Sequence, residues 1–237
     1  MTPEQLVARL QECLPEGLRS VVLYGSAAAG DFVPGVSNYN VLVVVDRLGV
    51  AELKALSKTV AQWTRAGNRP PLLFTPGELK ALADVFPLEL LDIRQSHRVL
   101  WGEDPLAEIA VSHDYLRLQL ERELKGKLLA LREEYLLRAN EPRQLAEMLT
   151  ASLAGFLVLF RAVLRLFRED VPAAKLDALR MLAEHIPFDP QPLLTIHELK
   201  HRQRKVRDVS PQALFESYLK TIEEVVKAVD RHLHPKI

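Results

Sequence analysis

The sequence has few of the features that mark specialised classes of protein. It contains one cysteine, Cys13, so it cannot form an internal disulfide, and a reducing cytoplasm is the expected compartment. Its 31 basic and 31 acidic residues leave no formal net charge. A strongly basic chain would attract nucleic acid broadly, so nucleic acid is not expected to be the main partner.

Long hydrophobic runs are also scarce. The most apolar stretch is ASLAGFLVLF, Ala151 to Phe160, about half the length that spans a bilayer. Glu147, Arg161 and Arg165 flank it closely. We therefore predict the middle of a buried helix and no membrane partner. With 48% hydrophobic and 26% charged residues among 237, the chain suits one large or two small globular domains.

The residue pattern changes near residue 105. Before it, apolar and branched runs alternate with helical ones, which predicts a small α/β domain over residues 1–105. The predicted strands are 21–24, 41–45, 72–74 and 88–93, and the predicted helices are 50–65, 77–84 and one that begins at Pro3 after a Thr2 cap. After WGEDPL the strands stop. Residues 106–237 predict a helical bundle with helices over 112–138, 142–167, 172–185, 193–207 and 210–232.

The stretch VVLYGSAAAG places a glycine and a serine directly after an apolar strand. Small residues let a backbone approach a ligand closely, and N–H groups at a helix start favour phosphate. Twelve residues after Ser26, Asn38 begins the next strand, which carries residues 38, 40, 42 and 44 on one face.

This arrangement resembles the nucleotidyltransferase superfamily, whose signature is Gly-Ser, a spacer of about ten residues and Asp-x-Asp on a strand. Aminoglycoside nucleotidyltransferases and minimal nucleotidyltransferases are examples. The matching positions are Gly25, Ser26, Gly30, Ser37 and the strand VLVVV. The resemblance implies a mixed-sheet domain followed by a helical bundle. It also implies that these four residues bind nucleotide or phosphate, and that the reaction moves a nucleoside monophosphate from a triphosphate to a hydroxyl.

Asn38 and Asn40 stand where that family has its two aspartates. In the family, the aspartates hold two Mg²⁺ ions that bridge the triphosphate and activate the acceptor. Mg²⁺ prefers anionic oxygen ligands, and asparagine has lost the charge. We therefore expect no metal site and weak or absent Mg²⁺-dependent transfer. The sequence favours a degenerate enzyme that acts as a nucleotide-binding or regulatory module, and its oligomeric state is left open.

Other acids are considered as substitutes for the missing pair. Asp46 shares the strand face of Asn40 but lies roughly 20 Å along it. Asp31 follows Gly30 in the loop. Glu89, on the predicted strand 88–93, is the candidate for the family's third carboxylate, with Asp92 on the opposite face of that strand. An active transferase with such displaced ligands for Mg²⁺ and ATP is the second hypothesis.

Cations could also replace the missing metal charge. No Lys or Arg lies between Ala27 and Asp46. Arg94, Arg98 and Lys125 are the cations that the fold could bring to a bound phosphate.

The helical half carries the third hypothesis, a bundle-based hydrolase. Arg180 and His185 have the Arg-x₄-His spacing of ribonucleases built on helical bundles, and His197 and His201 in HELKH have zinc-ligand spacing. A solvated helix end is the favoured explanation of the first pattern. The second is short and common by chance, and it lies among cations that repel a metal ion. A solvated helix face also explains the basic cluster 197–207, where no aromatic residue is interleaved for base stacking.

Arg161 and Arg165 lie four residues apart within the apolar second helix. Buried arginines need anionic partners, and we expect structural pairing with acids such as Glu123 or Glu133. Contact with a phosphate is the alternative.

Overall fold

A computed structural model of the chain describes residues 1–29 and 38–232. The chain packs as two compact units, the first covering Met1–Tyr115 and the second starting at Leu116. The segment after the predicted boundary at residue 105 still packs with the first unit, since Leu106 and Ile109 are buried in its core. The division into independent domains at residue 105 stays a prediction.

The described part of the first unit holds four strands and five helices. In chain order these are α1 Pro3–Cys13, β1 Leu18–Tyr24, α2 Ser26–Ala29, β2 Asn40–Val45, α3 Val50–Arg65, β3 Leu72–Phe74, α4 Pro76–Val85, α5 Pro87–Gln95 and β4 His97–Gly102. Thr2 caps α1 as predicted, because its side chain accepts from the Gln5 N–H. The predictions for β1, β2, β3, α3 and α4 are confirmed within a few residues.

The strands form one mixed sheet in the order β3-β2-β1-β4. β1 is antiparallel to both β2 and β4, and β3 is parallel to β2. Each face of the sheet is covered. One face packs on α1 and α3 through Trp63 and its neighbours, and the other packs on α4 and α5 through Leu79 and Leu90. A strand buried on both faces is apolar at every position, which explains the run VLVVV.

One predicted strand is wrong. Residues 88–93 lie inside helix α5, which starts at Pro87, where the missing N–H costs nothing. The apolar–acid alternation of FPLELLDI suggested a strand, but its buried residues Leu90 and Ile93 follow helical spacing and pack beneath the sheet. The fourth strand is instead β4, a half-exposed edge strand without the continuous apolar run that marks β2.

The second unit is helical, and together with the sheet unit this confirms the predicted fold class. Its elements are α6 His113–Arg138, α7 Pro142–Leu164, α8 Lys175–His185, α9 Gln191–Lys200, a short 3₁₀ turn Val206–Asp208 and α10 Pro211–Arg231. Helix α7 packs against α8, α9 and α10. Helix α6 is tied to α10 by the stacked rings of Tyr135 and Phe215, 4.0 Å apart, and by the Arg132–Glu223 ion pair.

Helix α7 contains the apolar run Ala151 to Phe160. It is long and apolar enough to cross a bilayer by length and composition, but 56% of its most apolar window is buried inside the second unit. Core helices of globular proteins pass the same test. The predicted burial of this run is confirmed, since Leu153, Phe156 and Phe160 are almost fully buried.

Candidate functional site

Three strands place a side chain each at the sheet end that carries the Gly-Ser turn. Tyr24, the last residue of β1, pairs with Asn40 at the start of β2 and with His97 at the start of β4. Residues directly opposite in an antiparallel pair point to the same face. Tyr24, Asn40 and His97 therefore form a row across three neighbouring strands.

Gly25 requires glycine for two reasons. Its φ of +77° lies in the left-handed region, which side chains rarely adopt. A Cβ atom there would also stand 3.1 Å from Nδ2 of Asn40, so the asparagine amide lies directly against the turn. The Gly25 N–H donates to the Ser96 carbonyl at 2.8 Å, which ties the turn to the end of α5.

Ser26 opens the short helix α2, and the N–H groups of Ala28 and Ala29 donate to the Gly25 carbonyl at 2.9 and 3.0 Å. The Gly25 N–H is likewise used within the protein. The sequence predicts phosphate contacts from this turn in general, whereas the structure limits them to groups other than the N–H groups of Gly25, Ala28 and Ala29. Gly30 and Ser37, the other predicted phosphate-binding residues, lie outside the described residues, as does Asp31.

The loop between α3 and β3 lies at the same end of the sheet. The Tyr39 N–H donates to Oδ1 of Asn68 at 3.2 Å, while Asn38 beside it is exposed. The loop is anchored to the core because Nε1 of the buried Trp63 donates to the Arg69 carbonyl at 2.8 Å. Asn38, Asn40 and Asn68 thus gather three amides at this end of the sheet.

Arg69 brings a positive charge to this site. Burial raises the pKa of the Tyr24 hydroxyl, and the Arg69 guanidinium is near enough to oppose that rise. Its side chain is exposed. Sequence reasoning missed Arg69. It lies just before β3, and β3 runs parallel to β2, so both strands start at the same end of the sheet; the sequence does not reveal this pairing.

His97 is fixed by a hydrogen bond on each ring nitrogen. Nδ1 lies 2.9 Å from the Arg94 carbonyl and Nε2 lies 3.1 Å from Oδ2 of Asp104. Asp104 is itself held, because its Oδ1 accepts from the Leu106 N–H at 2.9 Å. A carbonyl and a carboxylate therefore hold the orientation of the imidazole ring from both of its nitrogens. His97 was also missed by sequence reasoning, because β4 was.

Glu89 and Asp92 lie on helix α5 and not on a strand. Residues three apart are neighbours on one side of a helix, so the prediction that they point to opposite faces is wrong. Glu89 is exposed and Asp92 is partly buried. A catalytic role for Glu89 stays a prediction.

The described residues do not fit a Mg²⁺ site. Among them, no three or more His, Cys, Asp or Glu side chains are grouped to hold a metal ion. At the two positions where the family has aspartates, Asn38 and Asn40 offer neutral amides, which are poor ligands for a hard dication that prefers anionic oxygens. Asp46 does not supply a metal ligand here. It follows the far end of β2, consistent with the distance of roughly 20 Å from Asn40 expected along the strand, and it pairs with Arg19 at 2.5 Å.

The cations considered from the sequence lie elsewhere. Nη1 of Arg94 donates to the Ile109 carbonyl at 3.0 Å. Arg98 pairs with Leu23, on the sheet face opposite to Asn40, and lies near Glu4. Lys125 is bonded to Glu121 and Asp230 in the second unit.

The structure separates one of the two predicted hydrolase pairs of the second unit and brings the other together. Arg180 pairs with Asp177 at 3.0 Å, whereas the His185 ring stacks on Phe167 with centroids 5.3 Å apart. Five residues along a helix turn the side chains about 140° apart. His197 and His201 do meet, with ring centroids 4.2 Å apart.

Arg161 and Arg165 lie among other residues of the second unit. Nη1 of Arg161 donates to the Ala173 carbonyl at 3.3 Å, in the segment before α8. Arg165 is buried at the end of α7, with 9% of its surface exposed. The carbonyl contact at Arg161 is a structural contact within the protein, and pairing of these arginines with Glu123 or Glu133 stays a prediction.

Comparison with known proteins gives a fold. No family model matches the chain, and no curated protein matches it. Among solved structures, the chain is similar to spectinomycin adenyltransferase AAD(9) from Enterococcus faecialis, crystallised with ATP and spectinomycin. The two share 12% identity with a TM-score of 0.50, and the match covers 93% of this chain and 98% of that one. The chain therefore has a nucleotidyltransferase-like fold, an α/β domain followed by a helical one.

Proposed function

We propose that this protein is a nucleotide-binding module that keeps a nucleotidyltransferase-like fold and has lost Mg²⁺-dependent transfer. The sheet end formed by Gly25, Ser26, Asn40 and Arg69 binds the phosphates of a nucleotide directly. One observation carries the proposal: Nδ2 of Asn40 would lie only 3.1 Å from a Cβ atom on Gly25. An amide N–H group therefore stands against the turn where the family has a carboxylate.

The exchange of carboxylate for amide changes which ligands the site favours. A carboxylate repels phosphate unless a metal ion lies between them, whereas an amide N–H donates to phosphate oxygens without one. Arg69 adds a permanent charge and a planar fork of donors that matches phosphate geometry. The site therefore favours anions without a metal and disfavours Mg²⁺.

ATP is the ligand class that the structural neighbour suggests, because AAD(9) was crystallised with ATP. Without metal chemistry, a bound nucleotide has a regulatory or structural effect on the protein. An active transferase with displaced ligands, using Glu89, and a helical-bundle hydrolase are the competing functions.

Calorimetric titration with ATP, in EDTA and in excess Mg²⁺, tests the proposal. We expect binding in both conditions with affinities within about threefold, and no release of pyrophosphate. Arg69→Gln should weaken binding at least tenfold. Arg47→Gln is the matched control, because Arg47 is exposed just beyond the opposite end of β2 and should leave affinity unchanged.

Two results would overturn the proposal. Absence of ATP binding in both conditions would show that the protein is not a module that binds this nucleotide. Binding that requires Mg²⁺, with pyrophosphate release lost in Glu89→Ala, would instead identify an active transferase.

A further inference from the structure

The second unit contains a groove of about 460 Å³ between helices α7, α8 and α9. Its base is apolar, formed by the buried side chains of Leu153 and Leu157 on α7. Six ionisable residues surround this base: Lys175, Asp177 and Arg180 from α8, and His197, Lys200 and His201 from α9. The groove thus joins an apolar base to a charged rim.

The rim is positively charged. Three permanent cations, on Lys175, Arg180 and Lys200, face one carboxylate. That carboxylate, Asp177, is already paired with Arg180 at 3.0 Å. Because the rim holds more cations than carboxylates, an anion is the charged group that it favours.

The start of helix α8 adds to the positive potential. Its N-cap residue, Ala174, makes no side-chain hydrogen bond to the first turn. The first residues of the helix, Lys175, Leu176 and Asp177, all line the groove. The first N–H groups of a helix have no intrahelical acceptor and carry the positive end of the helix dipole, so they suit an anion.

The two histidines are placed to respond to an anion. Burial, then His201 and Lys200, lower the pKa of His197, and Glu198 partly opposes this. From α8, the charged groups that line the same groove are Lys175, Asp177 and Arg180. A bound anion would stabilise the protonated form of the His197 ring, since it would offset the neighbouring positive charges.

We propose that this groove binds a phosphate-bearing small molecule, with the phosphate between Lys175, Arg180 and Lys200 and an apolar group on Leu153 and Leu157. The surplus of cations argues against zinc at His197 and His201. The described lining contains no Phe, Tyr or Trp, so base stacking does not favour single-stranded nucleic acid. This site is separate from the sheet end and does not depend on the nucleotide-binding proposal.

Titration of the full chain with three probes tests the groove: phenyl phosphate, inorganic phosphate and phenol. We expect phenyl phosphate to bind at least tenfold more tightly than inorganic phosphate, and phenol not to bind. If inorganic phosphate binds equally well, the apolar half of the proposal is wrong and the ligand is the free ion. If only phenol binds, the anionic half is wrong.

Substitutions of the rim cations test whether phenyl phosphate binds in this groove. Lys200→Gln and Arg180→Gln should each weaken phenyl phosphate at least fivefold. Lys227→Gln, which removes an exposed cation from α10, should have no effect. An equal loss in all three variants would point to general electrostatic attraction and overturn the site. Arg69→Gln should leave phenyl phosphate affinity unchanged, which separates this test from the test of the sheet end.

The histidines supply a second readout. The pH dependence of the affinity for phenyl phosphate should differ between wild type and the double variant His197→Gln with His201→Gln. The titration of the ligand itself is common to both proteins, so any difference reports the two histidines. Wild type should gain affinity relative to the variant as pH falls from 8 to 6. Parallel profiles would overturn a role for the histidines. Stoichiometric Zn²⁺ binding lost in this variant, without phenyl phosphate binding, would overturn the whole proposal in favour of a metal site.

Discussion

The sheet end of the first unit and the groove of the second unit differ in the source of their polar character. The sheet end collects neutral amides, Asn38, Asn40 and Asn68, with Arg69 beside them. The groove collects three permanent cations and two histidines above an apolar base. An amide site acts at hydrogen-bond distance, whereas clustered cations act over about 8–10 Å at ordinary salt. Binding at the groove should therefore fall more steeply with salt than binding at the sheet end.

Two glycines, one in each unit, differ in the space around them. A Cβ atom on Gly102, in β4, would lie 2.1 Å from the Arg19 carbonyl oxygen, and the φ of Gly102 is +78°. Gly126, in α6, has no heavy atom within 4 Å of such a Cβ atom. The same substitution should therefore have opposite effects in the two units.

The largest expected effect follows from this difference. Gly102→Ala should lower the free energy of unfolding by about 3 kcal/mol, from left-handed strain plus steric overlap. Gly126→Ala, the matched control, should raise it by about 0.5–1 kcal/mol, because alanine favours a helix interior. Urea denaturation followed by circular dichroism measures both. Equal effects at the two positions would contradict the packing difference.

The next prediction concerns the amides of the sheet end. Asn38→Asp with Asn40→Asp should raise Mg²⁺ affinity at least tenfold, about 1.4 kcal/mol, because two anionic oxygens return to the site. Calorimetric titration with MgCl₂ measures it. Asn140→Asp with Gln144→Glu adds the same charge at exposed positions of the second unit and should not change affinity. If both pairs behave alike, the amides are not what excludes the metal.

A smaller effect is expected in the core of the second unit. Tyr218 is fully buried, and its hydroxyl lies 3.2 Å from Oγ of Ser152, which also bonds the Leu149 carbonyl at 3.0 Å. Tyr218→Phe should cost about 1 kcal/mol of unfolding free energy, the usual net value of one hydrogen bond. Ser152→Ala should cost more, about 2 kcal/mol, because it leaves a buried hydroxyl without an acceptor. Adding Tyr218→Phe to Ser152→Ala should then cost little, and additive losses in denaturation would contradict the pairing.

The smallest prediction concerns acid stability in the first unit. The Thr75 N–H and hydroxyl donate to the Glu78 carboxylate and hold the pKa of Glu78 below its ordinary value of 4.5. Its contribution is therefore present above pH 4.5 and lost as pH falls through the lowered folded-state value. Glu78→Gln should flatten the loss of stability between pH 5 and pH 3, measured by urea denaturation at each pH. Glu133→Gln, an exposed carboxylate of α6, should not flatten it as much.

Local sequence patterns predicted much of the fold and only part of the candidate site. Strands β1 and β2 were found because burial on both faces makes them uniformly apolar. Helix α5 was mistaken for a strand because nine residues with an apolar–acid alternation fit either period. Arg69 and His97 were missed for a different reason. They lie near the Gly-Ser turn because β3 pairs in parallel with β2 and β4 pairs antiparallel with β1. This strand order cannot be predicted from a local sequence pattern.

The central position of α7 has a consequence for how the chain is made. Helices α8, α9 and α10, which cover it, all follow it in the sequence, and α10 ends at Arg231. At a synthesis rate of about 5–20 residues per second, the apolar surface of α7 leaves the ribosome roughly 3–13 s before its last covering helix. During that interval a long apolar segment is exposed to other hydrophobic surfaces. The yield of folded protein should therefore depend on chaperones that bind nascent chains more strongly than the equilibrium stability alone would suggest.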